Sequence, residues 1–186
     1  SAGRIHGRDH RLVARTDRAS DEAITALCRR ADCLLVRDEA TAAMLADLGV
    51  DAEVGGCPSL YLERFVPDLP PPSEEMAGTA LVSVRHPDLM SIPYADQARV
   101  HGCVTRLVTL LGAQYDRVML LCHDRQDLPF AAGIEGVEYC YSEDPRQVVS
   151  WLRGSSLSAG FRLHAFLTAT GLGVPALQIS YDERGS

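Results

Sequence analysis

An α/β fold of two units, each with a parallel sheet, is the architecture this sequence predicts. Three observations carry it. Short apolar runs alternate with helix-length amphipathic segments; cap and stop residues stand at the ends of those segments; and the alternation breaks across residues 67–79, "PDLPPPSEEMAGT", before starting again.

In the first unit, "SDEAITALCRRA" from Ser20 reads as a helix with a serine cap and two acids in its first turn. "CLLV" follows as a strand, "RDEATAAMLADLG" as a capped helix ending at Gly49, and "DAEV" as a second strand. Two strands cannot make a doubly wound sheet, so residues 1–66 are expected to be the C-terminal part of a Rossmann-like domain. Residues 67–79 carry four prolines and no periodicity, and are expected to be a linker.

Residues 80–186 form the second expected Rossmann-like unit. "ALVSV" is its first strand, and residues 95–112 place Val100, Val104, Leu107, Val108 and Leu111 at helical spacing. "VMLLC" and "VEYC" read as strands flanking a loop. "DPRQVVSWLRG" is a helix with Asp144 as cap, Pro145 in its first position and Gly154 beyond its end. The strand "SSLSA", a helix opening in "GFRLHAFLTATGLGVP" and the strand "PALQIS" complete the alternation.

The composition narrows the function. A net charge of −7 with no basic run argues against a surface that tracks nucleic-acid phosphates. All 18 cationic side chains are arginine, which excludes Schiff-base lysines and the phosphate-loop lysine. Any anion held by a side-chain cation is therefore held by the planar fork of arginine. The six cysteines are irregularly spaced, several within apolar runs, and are expected to be reduced thiols rather than disulfides or metal ligands. No apolar run reaches the ~20 residues of a membrane span, and no signal-peptide pattern opens the chain, so the cytoplasm is the expected compartment.

Ligands of open parallel sheets bind beyond the carboxyl ends of the strands. Arg37 follows "CLLV", Arg85 and His86 follow "ALVSV", and His123 and Asp124 follow "VMLLC". Arg162 and His164 follow "SSLSA", and Tyr181, Asp182 and Arg184 follow "PALQIS". Gly160 permits a tight turn that puts Arg162 in a first helical turn, where free N–H groups already favour an anion. An ion pair with Asp124 or Asp182 would also account for Arg162, and neighbouring acids for Arg37 and Arg85. His164 and His123 each read either as hydrogen-bonded structural histidines or as functional ones.

These motifs resemble a known family. "RADCLLVRDEATAAMLADLGVDAEVGGCPSLYL" is similar to the first-domain end of the polysaccharide pyruvyl transferases, with R-D-x-x-[ST] and a helix ending in L-G-[VI]; "GFRLHAFLTATGLGVPALQISYDER" is similar to their second-domain signature, R-L-H, then G-V-P and a strand ending in Y-D. The resemblance implies a GT-B-like pair of domains and transfer of the enolpyruvyl unit of phosphoenolpyruvate to sugar hydroxyls, often as a cyclic ketal. It ties Arg162, His164 and Arg85 to the donor, with phosphoenolpyruvate as a substrate and no resident cofactor or metal. His164 is the expected acid and His123 the second candidate; Leu163, Arg37, Asp182 and Arg184 are expected substrate contacts. Two positions depart from the pattern: Cys57 stands where an aspartate usually precedes the proline, and Arg184 where a lysine commonly follows Y-D-x. A nucleotide-sugar glycosyltransferase is the competing enzyme reading, though no glutamate is evident for a ribose. A non-catalytic Rossmann-like binding module is the other.

Overall fold

The structure, a computed structural model, describes residues 4–6, 12–14, 18–90, 92 and 94–181. The chain divides into two compact units after Pro58.

In the first unit β1 (Arg4–His6) pairs antiparallel with β2 (Leu12–Ala14), a hairpin that the sequence pattern does not announce. α1 (Arg18–Cys28) starts two residues before the expected serine cap. β3 (Leu35–Val36), α2 (Glu39–Asp47) and β4 (Glu53–Val54) follow, with β3 and β4 parallel. Asp38 caps α2 by accepting the Thr41 N–H at 2.8 Å and the Thr41 hydroxyl at 2.7 Å. Val36, Leu45 and Val50 form a small core with Ile24 and Met44 packed on it.

The second unit contains α3 (Leu62–Phe65), β5 (Thr79–Ser83), α4 (Tyr94–Gly112), β6 (Arg117–Cys122), α5 (Leu128–Ala132) and β7 (Glu138–Tyr141). α6 (Pro145–Gly154), β8 (Leu157–Gly160), α7 (Leu163–Gly171) and β9 (Ala176–Gln178) complete it. Its five strands are all parallel in the order β7-β6-β5-β8-β9. Counted within the unit this is 3-2-1-4-5, the Rossmann-like winding, and the two parallel sheets give the chain the α/β class expected of a GT-B-like fold. The central strand β5 is buried along its whole length. That is why it reads as an unbroken run rather than an alternation. Val82, Val84, Leu120 and Cys122 face a core shared with Val100, Val104 and Phe130 of α4 and α5. Leu81, Met119 and Leu121 face the other core, with Leu152 of α6 and Ala169 of α7.

Residues 67–79, expected as a linker, lie against α6 instead. The Ser73 N–H donates to the Ser150 carbonyl at 3.0 Å, the Ser150 hydroxyl to the Pro71 carbonyl at 2.7 Å, and Arg146 to the Asp68 carbonyl at 2.6 Å. Met76 is buried in the α6–α7 core. A proline-rich strand lacks amide donors but keeps its carbonyls, so α6 side chains can lace it down without a periodic sequence signal.

α7 begins at Leu163 with Arg162 in the N-cap position, and Gly160 makes the entry possible. Its φ is +138°, and a Cβ there would lie 2.1 Å from the Ser83 carbonyl oxygen of β5. Gly160→Ala is accordingly expected to destabilise the second unit by at least ~2–3 kcal/mol, since it adds backbone strain to a backbone clash. A urea midpoint unchanged from the parent would contradict this.

Candidate functional site

Register brings the strand-end residues together. Ser83 of β5 sits beside Leu121 of β6 on one side and Gly160 of β8 on the other. The residues that follow these strands therefore emerge side by side: Arg85, then His123 and Asp124, then Arg162. The winding direction reverses between β5 and β8, the place where open sheets of this kind hold ligands.

Arg162 is mostly buried and fixed on three sides. Its Nε–H donates to the Val84 carbonyl at 3.3 Å, and one terminal nitrogen donates to Asp124 Oδ2 at 2.7 Å and to Asp127 Oδ2. The ion pair with Asp124, one of the readings open from sequence, is thus present. Asp127 is the addition. It is 0% exposed, and it also accepts the His86 N–H on Oδ1 at 3.0 Å and the His123 and Asp124 N–H groups on Oδ2 at 3.2 and 3.1 Å. One carboxylate thus ties together the segments after β5, β6 and β8. The only hint in the sequence is the D-x-x-D spacing of "DRQD" directly behind a strand, a turn-capping pattern.

Arg85 contrasts with it. It takes part in no ion pair among the described residues, and its Nε is buried without a hydrogen bond. A buried donor left unpaired costs about 1–3 kcal/mol, so this is an unfilled requirement for an acceptor. The first turn of α7 has the same deficit, with no capping side chain and no acidic residue.

His123 Nε2 lies 3.0 Å from the Ser83 hydroxyl. Burial first, and then the Arg162 guanidinium, lower its pKa from an ordinary 6.5 to about 4, so the ring is neutral near pH 7. His164, the second residue of α7, is exposed. Both histidines line a cavity of about 460 Å³ at the carboxyl edge of the sheet between α6 and α7, walled by Val148, Val149, Leu152 and Thr168. Glu143 also lines it, although the sequence reading found no such glutamate; it follows β7 and is engaged by Arg125, whose Nε–H donates to it at 2.7 Å.

The other expected site residues are dispersed. Leu163 is the half-buried first residue of α7. Arg37 lies in the first unit at the end of β3, 3.8 Å from Asp38. Asp182 and Arg184 fall outside the described residues. Cys57 is buried, and all six cysteines are free. Burial pushes Cys122 and Cys140 up to about 12, which makes them poor nucleophiles. Among the described residues no group of His, Cys, Asp or Glu is placed to hold a metal, and no helix is long and apolar enough to cross a membrane.

The winding, the arginines at the switch point and the uncapped helix mouth define a Rossmann-like α/β protein with cationic side chains at its strand edge. The family model for polysaccharide pyruvyl transferase matches residues 15–183, nearly the whole chain, and the chain belongs to that family. Comparison with curated proteins and with solved structures returns no match.

Proposed function

We propose that the chain transfers the enolpyruvyl group of phosphoenolpyruvate to hydroxyls of a sugar in a glycan or glycan precursor, giving a pyruvate ketal. The observation that carries the donor assignment is Arg85, a half-buried side chain whose Nε has no hydrogen-bond partner, on the segment after β5, whose neighbour β8 leads into Arg162 and the uncapped α7 mouth. Phosphoenolpyruvate presents a phosphate and a carboxylate, two anionic groups for two forked cations and a helix N-terminus.

The chemistry assigned to the residues is proton transfer and charge stabilisation. Protonation of the methylene carbon C3 makes C2 electrophilic; a sugar hydroxyl adds to C2; the C2–O bond to phosphate breaks; and a second hydroxyl closes the ketal. Each hydroxyl loses its proton: one replaces the proton that the acid gave to the methylene carbon, and the other ends on the departing phosphate. His164 is the assigned acid because it reaches the cavity from an exposed position, whereas His123 is half-buried and its ring is held against the Ser83 hydroxyl. Arg85 and Arg162 offset the charge that gathers on the departing phosphate.

Glu143 keeps the nucleotide-sugar reading open to test, because it supplies a carboxylate at the cavity edge. Calorimetry with phosphoenolpyruvate, a nucleotide sugar and a free nucleotide decides between them. Binding of phosphoenolpyruvate, with phosphate release on adding a sugar acceptor, is the expected result. Binding of the nucleotide sugar alone would replace this reading with glycosyl transfer.

A further inference from the structure

Two carboxylates share one nitrogen of Arg162, and they differ in every other respect. Asp127 is wholly buried and anchored by three backbone N–H groups. The Asp124 side chain is 56% exposed. We infer that Asp127 is the positioning residue of the donor site, holding Arg162 in its working direction, and that Asp124 is an exchangeable partner on the same guanidinium which the donor's anionic group displaces. The inference rests on the proposed donor.

A carboxylate with both oxygens engaged by fixed backbone donors cannot follow a moving arginine, so it determines where the guanidinium sits. The Nε–H bond to the Val84 carbonyl fixes the plane of the fork at the same time. Because Asp127 also accepts from His86 and His123, it sets the spacing between the segment that carries Arg85 and the segment that carries His123. Asp124 is held less firmly, its side chain meeting backbone only through the capping box it shares with Asp127. It opens the turn at Arg125–Asp127, and its side chain is more than half exposed although the Arg162 side chain it meets is mostly buried. Only the Asp124 end of this pair is solvated, and Arg162 keeps Asp127 when Asp124 leaves, so a ligand carrying phosphate and carboxylate can replace it. Its charge also repels an arriving anion.

The test compares Asp127→Asn with Asp124→Asn. In Asp127→Asn, whichever way the amide is turned, one anchoring oxygen is replaced by a donor that meets donors. The expected result is a rise of tenfold or more in the phosphoenolpyruvate concentration for half-saturation, with a smaller change in kcat. Asp124→Asn keeps a side chain that caps as well as aspartate and removes the charge, so half-saturation should fall several-fold. The second readout needs no donor. In ¹⁵N spectra of the arginine side chains, the Arg162 Nε–H signal, assigned by its loss in Arg162→Lys, should exchange slowly with water in the parent and in Asp124→Asn but rapidly in Asp127→Asn.

If Asp127→Asn folds and leaves both half-saturation and the Nε–H signal as in the parent, the positioning role is overturned. If it does not fold, Asp124→Asn decides: tighter donor binding with the signal retained supports the inference, and weaker binding or a lost signal overturns it. A parent that binds no phosphoenolpyruvate defeats the donor assignment, and the Nε–H comparison still decides which carboxylate holds Arg162.

Discussion

Arg162→Ala is expected to cost the second unit about 3–5 kcal/mol of stability, the usual penalty for leaving one partner of a buried ion pair behind. The charge left over is Asp127, at 0% exposure, whose remaining hydrogen bonds come only from backbone amides. Arg85→Ala is expected to behave in the opposite way. It removes a buried Nε that has no partner, so stability should change by less than about 0.5 kcal/mol or rise slightly. Under the proposed function both variants also lose donor contacts. A charge-assisted hydrogen bond contributes about 1.5–3 kcal/mol, so Arg85→Ala should weaken phosphoenolpyruvate binding by roughly tenfold to a hundredfold or more. Urea unfolding beside calorimetry separates the two residues. Equal loss of stability in both variants would show that Arg85 has a structural partner after all, and undiminished donor binding in Arg85→Ala would remove it from the site.

This contrast was only half legible in the sequence. Strand-end position marks Arg85 and Arg162 alike, because a strand-to-helix pattern says where a side chain leaves the sheet and not what it meets there. What distinguishes them is Asp127, three residues past Asp124 in a turn too short to show periodicity. α5, five residues long, was hidden for the same reason, and its stretch reads as plain loop. The strands of the second unit were legible because strands buried on both faces read as continuous apolar runs, and α6 because aspartate, proline and glycine mark its ends. The proline-rich segment 67–79 misled in the other direction. Its composition speaks for an extended chain, but its place is set by Arg146, Ser150 and Arg153 of α6 reaching its carbonyls.

The two histidines should separate as clearly as the two arginines. His164→Ala removes the proposed acid, and a positioned acid contributes typically ~10²–10⁴ to rate, so kcat should fall by that factor while phosphoenolpyruvate affinity stays within a few-fold of the parent. His123 should show itself in stability. Its pKa is about 4 in the folded protein against an ordinary 6.5, so between these values the unfolded chain binds a proton that the folded one does not. Stability therefore rises with pH through this window and is lost as pH falls from about 6.5 toward 4, at up to ~1.4 kcal/mol per pH unit. Asp124, Asp127, Arg162 and His164 all act on this ring electrostatically, so the parent curve alone mixes their responses. The difference between the parent and His123→Gln isolates the imidazole, because glutamine can still bond the Ser83 hydroxyl but cannot titrate. Urea titrations at several pH values should show the slope between pH 4 and 6.5 reduced in His123→Gln. An unchanged slope would mean that His123 is not held neutral by burial. If at the same time His123→Gln, and not His164→Ala, abolished turnover with donor binding intact, the proton that reaches C3 would have to be assigned to His123 in the donor complex, where an anion beside the ring favours its charged form.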